Sequence, residues 1–356
     1  MTTVPVVLAP DHEGHHPDVE VQCGRPIPAF DTPARMESVL AALRGTAWAR
    51  QVEPTPRGDV DAAMARVHDT DLLDFLRRAW DEAPRETDDG GLLFADTFWH
   101  QGLQTPAAVR PVDVTEGGAM GRYCFDTITG VGPGTWRAAR GSVLTALTAA
   151  DAVLAGDRLA VGLCRPPGHH VTRSVFGGGC YLNNAAITAQ SLRDRGVATV
   201  LVVDVDFHHG NGTQALFHDR ADVVYTSLHG DPRRSYPYFT GHAEERGSGD
   251  GSGATINVPL PPGVEGAQYL DLLQDALQRS AAHAPEAVVV SLGFDTFRGD
   301  VSGDALLDTP DYARIGEAVA GLGLPLVVLL EGGYSVPALG ENLVAWLDGA
   351  RGVHER

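Results

Sequence analysis

From about residue 135 onward the chain alternates between short apolar runs and longer segments with helical periodicity. The apolar runs are rich in Val, Ala and Leu and lack polar alternation, which predicts strands buried on both faces. These runs are Leu159–Cys164, Thr199–Val205, Val223–Leu228, Ala287–Leu292 and Leu326–Leu330. The periodic segments predict helices at 135–154, 183–195, 267–282, 311–322 and 337–347. Strands and helices that alternate in this way predict an α/β fold of three layers, with a mainly parallel central sheet.

The first 134 residues have a less regular pattern. Residues 1–30 are rich in Pro, His, Asp and Glu and predict an irregular surface segment, with His12, His15 and His16 exposed in a loop. Apolar stripes predict one helix from Pro33 and another over 67–80. Residues 82–134 are rich in Gly, Pro and Asp and predict a long loop insertion, which is usually functional or interfacial. The whole chain, 1–356, is expected to form one catalytic domain with this insertion.

Composition limits the function classes. A hydrophobic content of 43% and a charged content of 21% are ordinary for a globular domain with a sizeable core. The formal charge of -19 disfavours nucleic acid and favours a cationic substrate. The apolar runs are far shorter than the roughly 20 residues of a membrane span, and the N-terminus lacks a signal-peptide pattern. We therefore expect a cytoplasmic protein with no membrane partner.

The four cysteines are scattered and include no Cys-x-x-Cys pair. This spacing argues against a disulfide framework and against a zinc site built from cysteine. We expect Cys23, Cys124, Cys164 and Cys180 to be reduced thiols.

Polar side chains follow four of the predicted strands at the point where each strand ends. Ligands of an open α/β sheet bind outside the carboxyl ends of its strands, so these side chains should share one site. They belong to the segments Arg165-Pro-Pro-Gly-His-His170, Asp204-Val-Asp-Phe-His208, Gly293-Phe-Asp295 and Glu331-Gly-Gly-Tyr334.

Two of these segments together offer a set of metal ligands. Asp204, Asp206 and His208 alternate on an extended backbone and therefore lie on one side of it. Asp206 and His208 with Asp295 would provide the three protein ligands typical of a catalytic zinc site. Iron accepts the same donors, so zinc and iron both remain open.

The remaining groups suit proton transfer. His169 and His170 could act as general base and acid, and Tyr334 could donate a hydrogen bond to a developing oxyanion. Catalytic imidazoles usually pass their other N–H to a carboxylate or carbonyl group. Asp204 and Asn211 are the candidates for that role, one for each histidine. A carboxylate raises imidazole basicity more than an amide does, so the two histidines should differ in proton affinity.

Taken together these motifs resemble the arginase/deacetylase superfamily, and most closely the acetylpolyamine amidohydrolases and class II histone deacetylases. The resemblance covers residues 30 to 345 in order. Its motifs are Arg165-Pro-Pro-Gly-His-His170, Gly178-Gly-Cys-Tyr-Leu-Asn-Asn184, Asp204-Val-Asp-Phe-His-His-Gly-Asn-Gly-Thr213, Ser227-Leu-His229, Gly293-Phe-Asp-Thr296 and Glu331-Gly-Gly-Tyr334.

The resemblance implies zinc-dependent hydrolysis of an N-acyl amide, usually an acetyl amide, to a free amine and a carboxylate. It implies a structural potassium ion held by Asp204 and Ser227 and by the carbonyl groups of Asp206, His208 and Leu228. It places Arg35 at an arginine of the family's internal channel. It also implies a homodimer that pairs through the 82–134 insertion.

One motif departs from the family pattern. After Gly178, where the family has an aromatic wall of the substrate tunnel, this chain has Gly179. The opposing wall is expected at Tyr238 or Phe239. Ser302 occupies a rim position where some polyamine-selective relatives carry Glu. A lost aromatic wall would remove about 1.5–3 kcal/mol of apolar contact. We therefore expect a wider mouth and a bulkier or branched substrate, or a substrate held partly by the dimer partner.

Several functions fit these residues. The favoured one is hydrolysis of a small acylated amine such as an acetylpolyamine, and the alternative is deacetylation of protein acetyl-lysine. A ureohydrolase with two manganese ions would require a second pair of aspartates where this chain has Asp295 alone. A binding module without catalysis is disfavoured because every catalytic position is present.

Overall fold

The computed structural model describes residues 3–84, 91–100 and 112–355. Its strands and helices alternate as the pattern of apolar runs predicts. The strands are β1 Val4–Leu8, β2 Val19–Gln22, β3 Arg25–Pro28, β4 Ala49–Val52, β5 Leu159–Leu163, β6 Val200–Asp204, β7 Val223–Gly230, β8 Thr255–Leu260, β9 Ala287–Leu292 and β10 Leu326–Leu330. The α-helices are α1 Ala34–Arg44, α2 Val60–Val67, α3 Thr70–Glu82, α4 Ala119–Tyr123, α5 Thr135–Leu154, α6 Asn184–Asp194, α7 Asn211–Phe217, α8 Gly266–Ala281, α9 Thr309–Ala320 and α10 Val336–His354.

Eight strands form one sheet in the order β4-β1-β5-β10-β9-β6-β7-β8. Every neighbouring pair in it is parallel. A separate antiparallel hairpin consists of β2 and β3. The predicted parallel α/β sheet is therefore confirmed.

Alternate side chains of each central strand enter different halves of the core. In β6, Val200 and Val202 pack on one side of the sheet, and Leu201 and Val203 pack on the other. Helices α2, α3, α5 and α6 cover the first side, while α1, α8, α9 and α10 cover the second. Because each strand is apolar on both faces, only a three-layer arrangement buries it.

The expectation of an irregular segment over residues 1–30 is wrong. Val4 to Leu8 form a strand in the main sheet between β4 and β5, and residues 19–28 form the hairpin. The apolar run is only five residues long and contains Pro5, which makes it a weak strand signal beside the polar residues that follow. Strands β4 and β8 were not predicted either, because both are short and partly polar.

Two of the three N-terminal histidines are buried, which corrects the expectation that they are exposed. His12 and His15 lie in the interior, and only His16 is exposed. The ring of His15 packs edge-on against Tyr181, and its Nδ1 lies 3.1 Å from the Thr135 hydroxyl. Burial lowers the pKa of His15 to about 4, so the ring is neutral.

The helix predicted over 67–80 is α3, which begins three residues later than predicted, at Thr70. Helix α2 ends at Val67 and α3 begins at Thr70, with His68 in an extended conformation between them. His68 is buried, its Nδ1 lies 2.9 Å from the Thr172 carbonyl, and its Nε2 accepts a hydrogen bond from the Asn183 N–H. These tertiary hydrogen bonds outweigh local helix propensity.

Within the described ranges, none of the helices combines the length and apolar character needed to cross a bilayer.

Candidate active site

The four strands that end in polar side chains lie next to one another in the middle of the sheet. Their order is β5, β10, β9 and β6. Because all four are parallel, their carboxyl ends meet at one edge. The fold therefore gathers the predicted chemistry from segments that are up to about half of the chain apart in sequence.

Three ligand atoms converge at this edge. His208 Nδ1 lies 2.8 Å from Asp295 Oδ2 and 3.3 Å from Asp206 Oδ1. The second carboxylate oxygen of each aspartate is held by a main-chain N–H: Gly332 donates to Asp206 and Phe207 donates to Asp295. One oxygen of each carboxylate therefore faces His208, and the ligand atoms of all three residues lie within 4.8 Å of one another.

Two glycines let the neighbouring backbone approach the carboxylates. A Cβ atom at Gly293 would collide with Asp206, and one at Gly332 would lie 2.6 Å from Asp206 Oδ2. Gly293 and Gly332 are thus required because the backbone passes too close to Asp206 for a side chain.

The charge balance of this cluster favours a bound cation. Burial and the negative charge of Asp206 raise the pKa of Asp295 to about 7. Burial lowers the proton affinity of His208, but the two aspartates outweigh it and raise the pKa of His208 to about 10. Two buried carboxylates and an imidazole that compete for protons are a donor set that fits a divalent ion such as zinc or iron.

Each histidine of the tandem pair has a different partner. His169 Nδ1 lies 3.0 Å from Asp204 Oδ2, and His170 Nδ1 lies 2.7 Å from Asn211 Oδ1. The ring centroids of the two histidines are 4.1 Å apart. The structure thus assigns Asp204 to His169 and Asn211 to His170, a choice that the sequence had left open.

These partners separate the proton affinities of the pair. Burial lowers the pKa of His169, but the charges of Asp204 and Asp206 outweigh it and raise that pKa to about 10. Burial and the positive charges of His169 and His208 hold the pKa of His170 well below its usual value. His169 therefore favours the protonated form and His170 the neutral form.

Asp204 connects the pair to the neighbouring strand. Its Oδ2 also accepts a hydrogen bond from the Tyr225 hydroxyl at 3.0 Å. Asp204 lies directly opposite Ser227 in the pairing of β6 with β7, and Leu228 is buried beside it. The Ser227 hydroxyl lies 2.7 Å from His229 Nδ1.

Tyr334 lies at the end of β10 against the same cavity. Its ring is 5.8 Å from the ring of Phe30, and the Arg35 guanidinium lies 5.1 Å from its centroid. Arg35 is fully buried and donates hydrogen bonds to the carbonyl groups of Gly333 and Glu331. Burial raises the pKa of the Tyr334 hydroxyl well above its usual value, so the group remains a hydrogen-bond donor.

A cavity of about 1000 Å³ leads from the surface to this cluster. Its size is at the upper end for small-molecule sites. Tyr238 is 51% exposed and Phe239 is 88% exposed, so both belong to the rim. All of the substrate-binding residues expected from the sequence line it, namely Gly178, Gly179, Tyr238, Phe239 and Ser302.

The inner wall contains aromatic residues that sequence reasoning missed. The ring of Tyr236 lies 5.1 Å from that of His170 and 6.1 Å from that of His208. Phe125 stacks on Tyr236 with centroids 6.4 Å apart. Asp126 accepts hydrogen bonds from the Tyr236 hydroxyl at 2.7 Å and from the Gly178 N–H at 2.6 Å. No sequence periodicity marks Phe125 and Asp126, which come from the 82–134 insertion.

Gly178 and Gly179 both have backbone angles that favour glycine. Their φ values are 64° and 71°. A Cβ atom at Gly178 would collide with the His170 ring, whereas one at Gly179 would meet nothing within 4 Å. Gly178 is thus required by the site, and Gly179 borders open space.

Part of the insertion expected to pair subunits, residues 85–90 and 101–111, lies outside the described residues. Within the rest, α4 and the loop 124–131 pack against the catalytic core. Two main-chain hydrogen bonds join this part of the insertion to Phe176. The Phe125 N–H donates to the Phe176 carbonyl, and the Phe176 N–H donates to the Tyr123 carbonyl.

Comparison with known proteins agrees with this geometry. The sequence profile of the histone deacetylase domain matches residues 29–349. An acetylpolyamine amidohydrolase of Mycoplana ramosa is 41% identical over 353 residues, which cover 98% of this chain and 99% of that protein. Acetylpolyamine amidohydrolase 1 of Pseudomonas aeruginosa is 42% identical over 346 residues, covering 97% and 98% of the two chains.

A solved structure extends the similarity to the fold. The crystal structure of an acetylpolyamine aminohydrolase from Burkholderia pseudomallei superposes with a TM-score of 0.91 at 38% identity, covering 99% of each chain. Sequence, fold and site geometry lead to the same conclusion. The chain belongs to the histone deacetylase family.

Proposed function

We propose that this protein hydrolyses the N-acyl amide of a small acylated amine, releasing a carboxylate and a free amine, with acetylated polyamines as the favoured substrates. The observation that most strongly supports this function is the convergence of Asp206, His208 and Asp295 beside His169 and His170, two histidines that differ in proton affinity. The substrate class is supported by the names of the similar proteins and by the net charge of -19, which favours a cationic substrate.

Asp206, His208 and Asp295 would hold one divalent ion, zinc or iron. When bound, such an ion supplies Lewis-acid polarisation of the amide carbonyl and increases the acidity of water. Because the carboxylates cancel much of the ion's charge, the side chains around it must contribute further to catalysis.

His170 is suited to act as the general base. Its Nδ1–H can donate to Asn211 Oδ1, which leaves Nε2 of the neutral ring free to accept a proton from the attacking water. As the oxygen–carbon bond forms and the carbon–nitrogen bond breaks, that proton passes to the departing amine. His169, paired with Asp204, contributes positive charge beside the reacting groups.

Tyr334 is suited to stabilise the oxyanion. The phenol stays protonated because burial raises its pKa, and it lies in the cavity wall with His169 and His170. A positioned donor of this kind favours the charge that develops on the carbonyl oxygen.

A structural potassium ion is also proposed, at Asp204 and Ser227 with the carbonyl groups of Asp206, His208 and Leu228. The support is the direct pairing of Asp204 with Ser227 between β6 and β7 and the complete burial of both. A monovalent ion there would offset the negative charge of Asp204.

The substrate class can be tested with a panel of amides. We expect purified protein to release acetate from monoacetylputrescine and acetylspermidine with a higher kcat/KM than from an acetyl-lysine peptide, and a chelator to abolish the reaction until zinc or iron is restored. Tyr334→Phe serves as the control and should lower kcat by about 10²–10³-fold. Hydrolysis of the peptide alone, release of urea from arginine, or no amide hydrolysis at all would contradict the proposal.

Gly179 offers a test of pocket width. If its missing side chain leaves the mouth wide, Gly179→Tyr should raise kcat/KM for monoacetylputrescine by roughly 10-fold or more, since an aromatic wall contributes about 1.5–3 kcal/mol of apolar contact. The residue has φ 71°, so the variant should also lose about 1–2 kcal/mol of stability. Gly196→Tyr is the matched control, because exposed Gly196 also has positive φ and open space around it. Loss of activity on every substrate by folded Gly179→Tyr would refute the wide mouth.

A homodimer that pairs through the 82–134 insertion is also proposed. Trp99 in the insertion is 43% exposed and Phe239 on the rim is 88% exposed, so each leaves apolar surface that a partner chain could cover. Light scattering should give the mass of two chains, and Trp99→Ser should weaken the association. A monomer at every concentration would rule the dimer out.

A further inference from the structure

A buried carboxylate holds the backbone of Tyr334. Asp300 Oδ2 accepts hydrogen bonds from the main-chain N–H of Tyr334 at 2.7 Å and from that of Ser335 at 2.8 Å. Its Oδ1 accepts from the N–H and the hydroxyl of Ser302, at 3.1 and 2.9 Å. The Asp300 residue is only 7% exposed. One side chain thus links the loop after β9, which bears Asp295, to the loop after β10, which bears Tyr334.

The segment before Tyr334 needs such a restraint because it contains two glycines. Glycine restricts the backbone less than any other residue, and Gly333 has φ 112°, so hydrogen bonds from its neighbours must hold the segment in one conformation. On the N-terminal side, Gly332 N–H donates to Asp206 and the Gly333 carbonyl accepts from Arg35. Asp300 provides the restraint on the C-terminal side. Tyr334 is therefore bracketed by hydrogen bonds at both ends of its backbone.

The position of Asp300 also suits a negative charge. Ser335 is the residue immediately before α10, whose first residue is Val336, so a carboxylate bonded to its N–H lies beside the positive end of that helix. Hydrogen bonds from N–H groups to a carboxylate are shorter and stronger than those to a neutral acceptor. The two distances of 2.7 and 2.8 Å are in that range.

We infer that Asp300 is a positioning residue for amide hydrolysis, one that fixes the backbone of Tyr334 so that its hydroxyl points at the reacting carbonyl. This inference rests on the proposed function, because it assigns Asp300 its effect only through Tyr334. Asp300 itself bonds to backbone and to Ser302, and has no role in proton transfer.

An amide at this position replaces the carboxylate only in part. Three main-chain N–H groups and the Ser302 hydroxyl donate to the two oxygens of Asp300. In Asp300→Asn, an NH₂ group turned toward Tyr334 and Ser335 opposes two N–H donors, whereas one turned toward Ser302 opposes its N–H and can donate to its hydroxyl. In either orientation the acceptor loses its negative charge and at least one N–H group loses its acceptor. The substitution is nearly isosteric, so it changes the hydrogen bonds with little change in volume.

The test is a double-mutant cycle with monoacetylputrescine and an acetyl-lysine peptide as substrates. We expect Asp300→Asn to lower kcat by about 10- to 100-fold with little change in KM, the size of effect seen when a reacting group loses its supporting hydrogen bonds. In the Tyr334→Phe background the same substitution should have almost no further effect. Asp275→Asn controls for the loss of one negative charge, because exposed Asp275 on α8 pairs with Arg279 at 3.6 Å and does not line the cavity.

If Asp300→Asn lowered kcat by the same factor in wild type and in Tyr334→Phe, the inference would be overturned. An unchanged kcat in Asp300→Asn would also overturn it. Thermal unfolding checks that each variant is folded. If Asp300→Asn does not fold, Ser302→Ala removes one hydrogen bond from the opposite oxygen of Asp300, and its smaller loss in kcat must likewise vanish in the Tyr334→Phe background. If wild type and Tyr334→Phe hydrolyse both substrates equally, the proposed role of Tyr334 fails, and the inference fails with it. If Tyr334→Phe lowers kcat and the losses of the two substitutions are additive, only the role of Asp300 is refuted.

Discussion

Two carboxylates, Asp206 and Asp295, face each other in the interior, where an uncompensated charge costs several kcal/mol. The surroundings supply the compensation. His208 lies between them, His169 faces Asp206 at 3.8 Å, and main-chain N–H groups of Gly332 and Phe207 hold the outer oxygens. A divalent cation would complete the balance. The glycines beside these aspartates follow from this requirement, because the backbone must pass close to the carboxylates to bring its N–H groups to them.

The same electrostatic arrangement separates the roles of the other groups. Asp204 stabilises a charged His169, while His170 has only the amide of Asn211 and two cationic neighbours, which favours its neutral form. Tyr334 is kept as a donor by burial, and its backbone is held from both sides by Arg35 and Asp300. Each side chain of the site thus depends on a partner from a different strand end.

Sequence alone predicted the parallel sheet and most of the side chains that meet at its edge, since buried parallel strands are continuous apolar runs and polar residues at their ends stand out. It failed where a tertiary contact overrides a weak local signal. Strand β1 is short and contains Pro5, and His12 and His15 are polar residues buried by partners distant in the chain. Tyr236 was missed as the inner aromatic residue because Tyr238 and Phe239 nearby are also aromatic. Only the fold shows which of the three rings faces His170.

Metal content tests the central claim most directly. Elemental analysis of protein prepared with zinc, iron and potassium present should find one divalent ion and bound potassium per chain. Asp295→Asn should lose the divalent ion and keep the potassium, with an unchanged circular dichroism spectrum. Two divalent ions per chain, or full divalent occupancy in Asp295→Asn, would contradict a single metal site built on Asp206, His208 and Asp295.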